Sequence, residues 1–505
     1  MNRRQFLGSL FAGTVALNTS TIAQALANAP RGAFSPLGQG GIDTRDPVIH
    51  LIRRMTFGVT PALVAHVRQI GIEAFIEEQL APERLDDSAL DPVLEETREI
   101  LNENGGVLLR ELEARQEQVI APLIGATTVR AISSQRQLYE RMVGFWSDHF
   151  SMFIGKGIVL FLKVDDDRDV IRPKAMGRFR ELLGASAHSP AMLFYLDNVQ
   201  NEASAPNENY ARELMELHTL GVNGGYSEDD VKEVARAFTG WSMTGRRENE
   251  DGRVMFQFRR LFHDNDAKIV LGTAIPADGG EQDGETVLDI LANHPSTARL
   301  IATKLARRFV ADQPSATIVD AAAAAFTASG GDIRAVLRVI FHSDEFWQAP
   351  PKFKQPFEHT VSLLRAMDYH VSDLNQLLRT LRAPLDSLGN IPFTWTTPDG
   401  FPDVMEAWKD GLLTRWNLAL GAMYGGVRGA ESNTDGLLEM LAVNGIAFET
   451  EPVLDFMAGY TIGRPLSADE RTIMLDFAAA SSTDPTEQIL GGLALLLASP
   501  AFQYK

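Results

Sequence analysis

Helical periodicity that continues almost without interruption from Asp46 onward is the feature that most restricts the fold of this chain. Apolar side chains recur every three to four residues, which places them on one face of an α-helix. Strand-like stretches are scarce, and the clearest are residues 254–258 and 268–272, with turn residues 264–266 between them. The pattern predicts an all-α fold, a large multi-helical body of packed helices and helical hairpins with one small β-hairpin excursion.

The periodicity also gives the domain organisation. The predicted helical segments span residues 61–81, 86–118, 134–153, 168–185, 190–198, 207–220, 227–241, 283–293, 296–311, 315–328, 332–342, 354–370, 372–382, 403–424, 434–443, 453–460, 467–480 and 484–498. Residues 1–29 are predicted to be a signal peptide, 30–45 a linker, and 46–505 a helical domain. In one arrangement this domain divides into two lobes, 46–250 and 280–505, with the hairpin inserted between them.

The first residues have the pattern of an export signal. Arg3 and Arg4 precede an apolar run over 7–17, and the small-residue sites 23–25 and 25–27 follow it. This resembles a twin-arginine signal cleaved at or near Ala27, although an amphipathic first helix or a membrane anchor would share some of these features. The apolar run is shorter than the roughly 20 residues that a membrane span needs. We therefore expect a periplasmic or secreted protein with no stable transmembrane segment after signal removal.

Composition excludes several classes of function. The chain has 47 Lys and Arg against 66 Asp and Glu, for a net charge of −19. Such an acidic chain would repel a phosphate backbone, so nucleic acid is not an expected partner. The chain has 0 cysteines, so iron–sulfur clusters held by cysteine and cysteine-bound zinc are excluded. If a metal binds, its ligands come from His, Asp and Glu.

The densest polar motif is residues 207–221. On a regular helix with 100° per residue, five polar residues share one face: Glu208, Asn209, Arg212, Glu213 and Glu216. His218 lies on the opposite, apolar face, so on a regular helix it cannot share a site with Glu213 or Glu216. It is therefore predicted to be a hydrogen-bonded core histidine. The spacing does not match the zinc-protease or di-iron helix motifs.

This polar face, which we call the acidic arc, allows two interpretations. Glu208–Arg212 and Arg212–Glu216 have the i,i+4 spacing of ion pairs on a solvated helix surface. If the arc instead faces a cleft, carboxylates beside one arginine can separate their pKa values into an acid and a base, or bind a hard cation.

Two further histidines are candidates. His149 falls on an apolar stripe with Leu138, Met142 and Phe145, which is typical either of a buried histidine or of one that enters an internal pocket. His263 lies beside the predicted hairpin turn. The turn residues 264–266 begin like a calcium loop, but Lys268 stands at the next ligand position.

Several of these motifs together resemble the bacterial domain of unknown function 1800 family. They are residues 207–222, Gly225-Tyr226, 235–241, 53–58, Phe145-Trp146 with His149-Phe150, 262–264 with Lys268 and Gly272, His294-Pro295 and 331–333. The resemblance spans about residues 46–503. It implies no established activity, but members are often exported and often encoded beside a domain of unknown function 1501 protein.

Two functional hypotheses follow. The first is an exported, hydrolase-type enzyme whose candidate catalytic residues are Glu208, Arg212, Glu213, Glu216, His149 and His263. In it, Glu213 and Glu216 act as acid and base or ligate a metal, Arg212 orients a substrate anion, and His149 or His263 assists. The second is a noncatalytic partner or scaffold for the co-encoded exported protein.

Overall fold

The computed structural model describes residues 19–30, 33–34, 45–245 and 251–505. The predicted twin-arginine motif, the apolar run behind it and most of the predicted linker lie outside these residues. The short helix α1 (Thr19–Asn28) contains the predicted cleavage sites. Its Ile22 is buried, and its Thr19 hydroxyl donates to Asn417 Oδ1 on a later helix.

Helices dominate the described chain and confirm the all-α prediction. The first half contains α2 (Pro47–Met55), α3 (Pro61–Ile70), α4 (Ile72–Gln79), α5 (Asp91–Asn102), α6 (Gly105–Leu112), α7 (Glu117–Ser133), α8 (Gln137–His149), α9 (Val159–Asp165), α10 (Arg172–Lys174), α11 (Phe179–Ala187), α12 (Pro190–Tyr195), α13 (Asn209–Glu213) and α14 (Glu228–Ala237). Two π-helical turns, Asp166–Ile171 and Leu214–Thr219, continue α9 and α13.

The second half is also mainly helical. It contains α15 (Gln282–Ala292), α16 (Pro295–Phe309), α17 (Ala316–Ala328), α18 (Ile333–Phe341), α19 (Asp344–Trp347), α20 (Pro356–Ala366), α21 (Leu374–Ser387), α22 (Leu412–Met423), α23 (Thr434–Val443), α24 (Thr450–Ile462), α25 (Ala468–Ser481) and α26 (Pro485–Ala498). Short 3₁₀ turns lie at Pro82–Arg84, Ser88–Leu90, Asn198–Gln200, Arg260–Phe262, Met405–Ala407 and Pro500–Gln503.

The strands pair differently from the predicted hairpin. β1 (Trp241–Met243) is antiparallel to β2 (Phe256–Phe258), and β3 (Lys268–Val270) is antiparallel to β4 (Thr273–Ile275). The two predicted strands therefore belong to separate two-stranded sheets. β3 pairs with the segment directly after it, which closes a short loop, whereas β2 pairs back with β1, which is farther from it in sequence than β3 is. A third sheet pairs β5 (Tyr369–Val371) with β6 (Ala430–Ser432).

Two kinds of helix build the core. Amphipathic helices such as α18 bury one stripe, here Ile333, Val336, Leu337, Ile340 and Phe341. Others, including α7 and α26, are apolar on nearly every side and lie inside the body. One continuous apolar cluster contains residues from both halves of the described chain.

Buried polar contacts also join the two halves. Arg54 Nη1 donates to the Val310 carbonyl at 2.8 Å, and Arg141 Nη1 lies 2.5 Å from Glu358 Oε1. None of the described helices is both long enough and apolar enough to cross a membrane.

Candidate functional site

The segment that carries the acidic arc is not one regular helix. After α13, the chain continues as the π turn Leu214–Thr219, and the Thr219 hydroxyl donates to the Leu214 carbonyl at 2.7 Å. A π turn closes its hydrogen bonds over one more residue than an α turn, so it changes the rotation between the side chains on either side of it. The expected regular helix is therefore wrong from Leu214 onward. π turns occur frequently at functional sites.

The first part of the acidic arc lies at the surface. Arg212 Nη2 is 3.1 Å from Glu208 and 2.8 Å from Glu228, which belongs to α14. The side chains of Arg212, Glu208 and Glu228 are 36%, 39% and 69% exposed. Exposed ion pairs of this kind contribute about 0–1 kcal/mol. Both guanidinium partners are carboxylates of the chain itself, so Arg212 is already neutralised.

The second part of the arc turns toward the body. Glu213 and Glu216 are partly buried, and no hydrogen bond or ion pair joins the Glu213 carboxyl to another described residue. Burial raises the pKa of Glu213, and the neighbouring carboxylates of Glu216 and Asp399 raise it further, against the opposing effect of Arg212. A carboxyl with a raised pKa can act as an acid near neutral pH.

The loop before α22 supplies Asp399. Trp395 Nε1 and the Thr397 hydroxyl donate to Asp399 Oδ1 at 3.0 and 2.5 Å. The next residue, Gly400, has a φ of 76°, and a Cβ placed there would lie 2.0 Å from the carbonyl oxygen of Asp148. Only glycine allows this close approach. The loop therefore packs directly against the end of α8, beside His149.

His149 is buried and accepts a hydrogen bond from a lysine. Lys304 Nζ, from α16, lies 3.0 Å from His149 Nδ1 and 3.3 Å from the Leu217 carbonyl in the π turn. An ammonium only donates, so Nδ1 accepts and Nε2 carries the proton that is donated to the His218 carbonyl at 3.0 Å. Burial, and then Lys304, hold the pKa of His149 well below its usual value. The imidazole is therefore neutral.

Lys304 itself has an unusual pKa. Burial lowers it to about 8, and Arg307 lowers it as well, whereas Asp148 and Asp399 act in the opposite direction. Asp399 thus influences the pKa of both Lys304 and Glu213. A lysine with this pKa is partly deprotonated just above neutral pH, and so is suited to proton transfer or to binding an anion.

His218 lies inside the core, as predicted, but differs from the prediction in its hydrogen bonding. Its ring packs near those of Phe150 and His149, with centroids 5.0 and 5.9 Å away. Its Nε2 makes no hydrogen bond with the described residues. Burial, and then Lys304, lower the pKa of His218 to about 3, so the ring stays neutral.

His263 belongs to a different cluster. Its Nδ1 lies 2.8 Å from the Thr239 carbonyl, and its Nε2 lies 3.2 Å from Asp283 Oδ2. Lys268 Nζ donates to the same Asp283 oxygen at 2.8 Å and to two backbone carbonyls. These contacts fasten the β1–β4 region to α15. The structure therefore brings His149 to the backbone of the π turn, whereas the contacts of His263 lie elsewhere.

Comparison with known proteins gives the family. The family model described as "Protein of unknown function (DUF1800)" matches residues 50–504. The chain belongs to the DUF1800 family. Comparisons with curated proteins and with solved structures found no match. The DUF1800 match covers every candidate residue named above, together with both predicted lobes.

Two residues of this DUF1800 site were missed by sequence reasoning. Asp399 stands before a glycine in a turn motif, and that motif was the only signal. Lys304 lies in a predicted helix, but its partner His149 is 155 positions earlier in the chain. Across the described residues of the protein, no three His, Asp or Glu side chains converge as ligands of a metal ion would.

Proposed function

We propose that this DUF1800 protein is an exported enzyme of the hydrolase type, with acid–base chemistry centred on Glu213. The observation that carries the proposal is that Asp399 shifts the pKa of both Glu213 and Lys304. Asp399 therefore lies within electrostatic reach of both Glu213 and Lys304, beside the π turn. Perturbed titratable groups at such a position are typical of catalytic sites.

The proposed roles follow from charge. Glu213, whose pKa is raised, donates a proton to the leaving group, and Asp399 or Glu216 accepts one from water. Lys304, protonated in most molecules at pH 7, stabilises negative charge that develops on the substrate. His149 positions Lys304 through its Nδ1. Glu208 and Arg212, neutralised at the surface, have no catalytic role in this proposal.

The test compares two glutamates of the same arc. Wild-type protein, Glu213→Gln and Glu208→Gln are assayed with 4-nitrophenyl esters, phosphates and glycosides. We expect turnover in one class, a loss of at least about 100-fold in Glu213→Gln because general acid–base catalysis contributes that much, and a wild-type rate in Glu208→Gln. Absence of turnover in all three classes, or equal rates for wild type and Glu213→Gln, contradicts the proposal.

We also propose export by the twin-arginine route, supported by Arg3, Arg4 and the small-residue sites that follow them. Cell fractionation and N-terminal sequencing test it. The mature protein should be found outside the cytoplasm and begin at or near Asn28. Replacing Arg3 and Arg4 by lysine should leave the protein uncleaved in the cytoplasm. Normal export of that double variant contradicts the route.

The exposed ion pairs of Glu208, Arg212 and Glu228 favour a second candidate function. A solvated arc is what the scaffold hypothesis predicts, with a co-encoded exported domain of unknown function 1501 protein as the partner. Under this hypothesis the two proteins co-purify when co-expressed, and reversal of charge by Arg212→Glu weakens the complex. Separate elution of the two proteins on size exclusion contradicts it.

A further inference from the structure

An enclosed pocket lies apart from the acidic arc. It has a volume of about 80 Å³ and lies among α7, α8, the start of α20 and the loop over residues 390–401. Its wall is mainly apolar and includes four phenylalanines: Phe57, Phe357, Phe393 and Phe401. Such a wall suits a ligand with an apolar body.

One of these phenylalanines is held in a strained conformation. Phe393 has a φ of 68°, which is rare for any residue other than glycine, asparagine or aspartate. Its carbonyl accepts a hydrogen bond from Ile154 N at 3.1 Å, and its ring lies 5.3 Å from Lys163 Nζ. Strained residues of this kind concentrate at ligand-binding and active sites.

Arg141 is one of two arginines that line the pocket, the other being Arg308. The Arg141 guanidinium is buried, with its side chain 2% exposed, and its only carboxylate neighbour within 4 Å among the described residues is Glu358. Glu358 is shared, because Lys505 Nζ lies 2.6 and 2.7 Å from its two oxygens. One carboxylate thus serves two basic side chains and cannot satisfy every donor of Arg141.

Three buried polar atoms at the pocket have no hydrogen-bond partner among the described residues, and all three can donate. Nε and Nη2 of Arg141 make no hydrogen bond with the described residues, and neither does the hydroxyl of Ser147, one turn and a half further along α8. All three atoms can donate. Buried donors favour an acceptor, and charge-assisted bonds to a carboxylate are the strongest that a guanidinium makes.

The carboxylates that also line the pocket each have a basic partner elsewhere. Glu140 is held by Arg172 at 3.0 and 3.1 Å. Asp148 lies 3.1 Å from Arg308, which also contacts Asp403. In contrast, Nε and Nη2 of Arg141 have no hydrogen-bond acceptor among the described residues.

We propose that this pocket binds a short-chain monocarboxylate. The carboxylate contacts Arg141 and the Ser147 hydroxyl, and the alkyl chain lies among the phenylalanine rings. At about 80 Å³ the pocket is well below the roughly 300–1,000 Å³ of sites for drug-sized ligands, so a small acid such as propionate is the suitable probe. The site goes beyond the proposed hydrolase activity and does not depend on Glu213.

The first test uses propionate as the probe, with propionamide as a neutral molecule of the same shape. Binding to the full chain is measured by isothermal titration calorimetry. We expect saturable, one-to-one binding of propionate that is at least about tenfold tighter than that of propionamide, because only the anion pairs with a guanidinium. Equal affinities, or no binding of propionate, overturn the proposal.

The second test fills the pocket without touching its charge. Gly144 lines the pocket on α8, and a Cβ added there meets no atom within 4 Å. Gly144→Leu should therefore fold and lose propionate binding. Gly421→Leu is the matched control, since Gly421 lies in α22 with equally open space around it, and it should bind propionate like wild type.

Ser147→Ala should weaken propionate binding about threefold to tenfold, the range for one lost hydrogen bond. Unchanged propionate affinity in Gly144→Leu overturns the proposal. Glu213→Gln separates the two proposals, because it should abolish turnover and leave propionate binding unchanged. Failure of the hydrolase assay and failure of propionate binding are thus independent results.

Discussion

At the scale of single residues, Lys304 gives a prediction about pH. Its pKa falls from 10.5 in an exposed lysine to about 8 in the folded protein, so between pH 8 and 10.5 the unfolded state binds more protons. Stability therefore rises with pH across this window. We expect the unfolding free energy of the wild type, minus that of Lys304→Met, to increase by about 1–3 kcal/mol from pH 7.5 to pH 10.

Urea denaturation at several pH values measures this difference. The control is Lys232, an exposed residue whose pKa is raised by its hydrogen bond to Asp229. Its stabilising contribution is lost as pH rises, so Lys232→Met should show the opposite slope. If the unfolding free energy of the wild type, minus that of Lys304→Met, does not increase with pH, the pKa of Lys304 is not lowered in the folded protein.

The residues of the candidate site were only partly predictable. Spacing along one helix placed Glu213 and Arg212 on a common face, but their burial depends on what packs against that face. The pairing of His149 with Lys304 joins two helices and leaves no periodic signal in either. Asp399 is positioned by the close approach of Gly400 to α8, which is a tertiary contact. Local patterns therefore identify candidates, and packing decides which of them meet.

At the scale of secondary-structure elements, α14 tests how much a helix cap contributes. Ser227 accepts a hydrogen bond from Asp230 N, and the Asp230 carboxylate accepts one from Ser227 N, forming a capping box. Ser227→Ala should lower the unfolding free energy by about 1 kcal/mol. Glu449, at the N-cap of α24, makes no such side-chain bond, so Glu449→Ala should change stability by less than about 0.5 kcal/mol. Chemical denaturation of both variants compares them, and equal losses would argue against the cap.

The elements that sequence missed share a physical cause. α7 is absent from the predicted segments because it is buried on most sides and so lacks the alternation of apolar and polar faces. The π turn at Leu214–Thr219 was missed because a fixed 3.6-residue period cannot represent an extra residue. The strand pairing was wrong because three-residue strands carry too little pattern to select a partner. Amphipathic surface helices such as α18 were predicted well.

At the scale of the whole molecule, the division into two lobes, 46–250 and 280–505, remains a prediction. Several buried contacts cross it. Arg141 pairs with Glu358, Asp148 pairs with Arg308, and Arg365 donates to the carbonyls of Gly58 and Ile132. These bonds lie within the same continuous apolar cluster. Separating the lobes would expose that cluster and leave buried charges unpaired, which is strongly unfavourable.

We therefore expect both predicted lobes to unfold together. Chains of this length often unfold in steps, so a single transition is a discriminating result. Differential scanning calorimetry should give one peak, with calorimetric and van't Hoff enthalpies that agree. Glu358→Gln, which weakens the pairing of Arg141 with Glu358 across the lobes, should lower the unfolding free energy by about 3–5 kcal/mol and keep one peak. Two resolved peaks, of which only one moves in Glu358→Gln, would instead show that the lobes are independently stable and that the contacts between them contribute little.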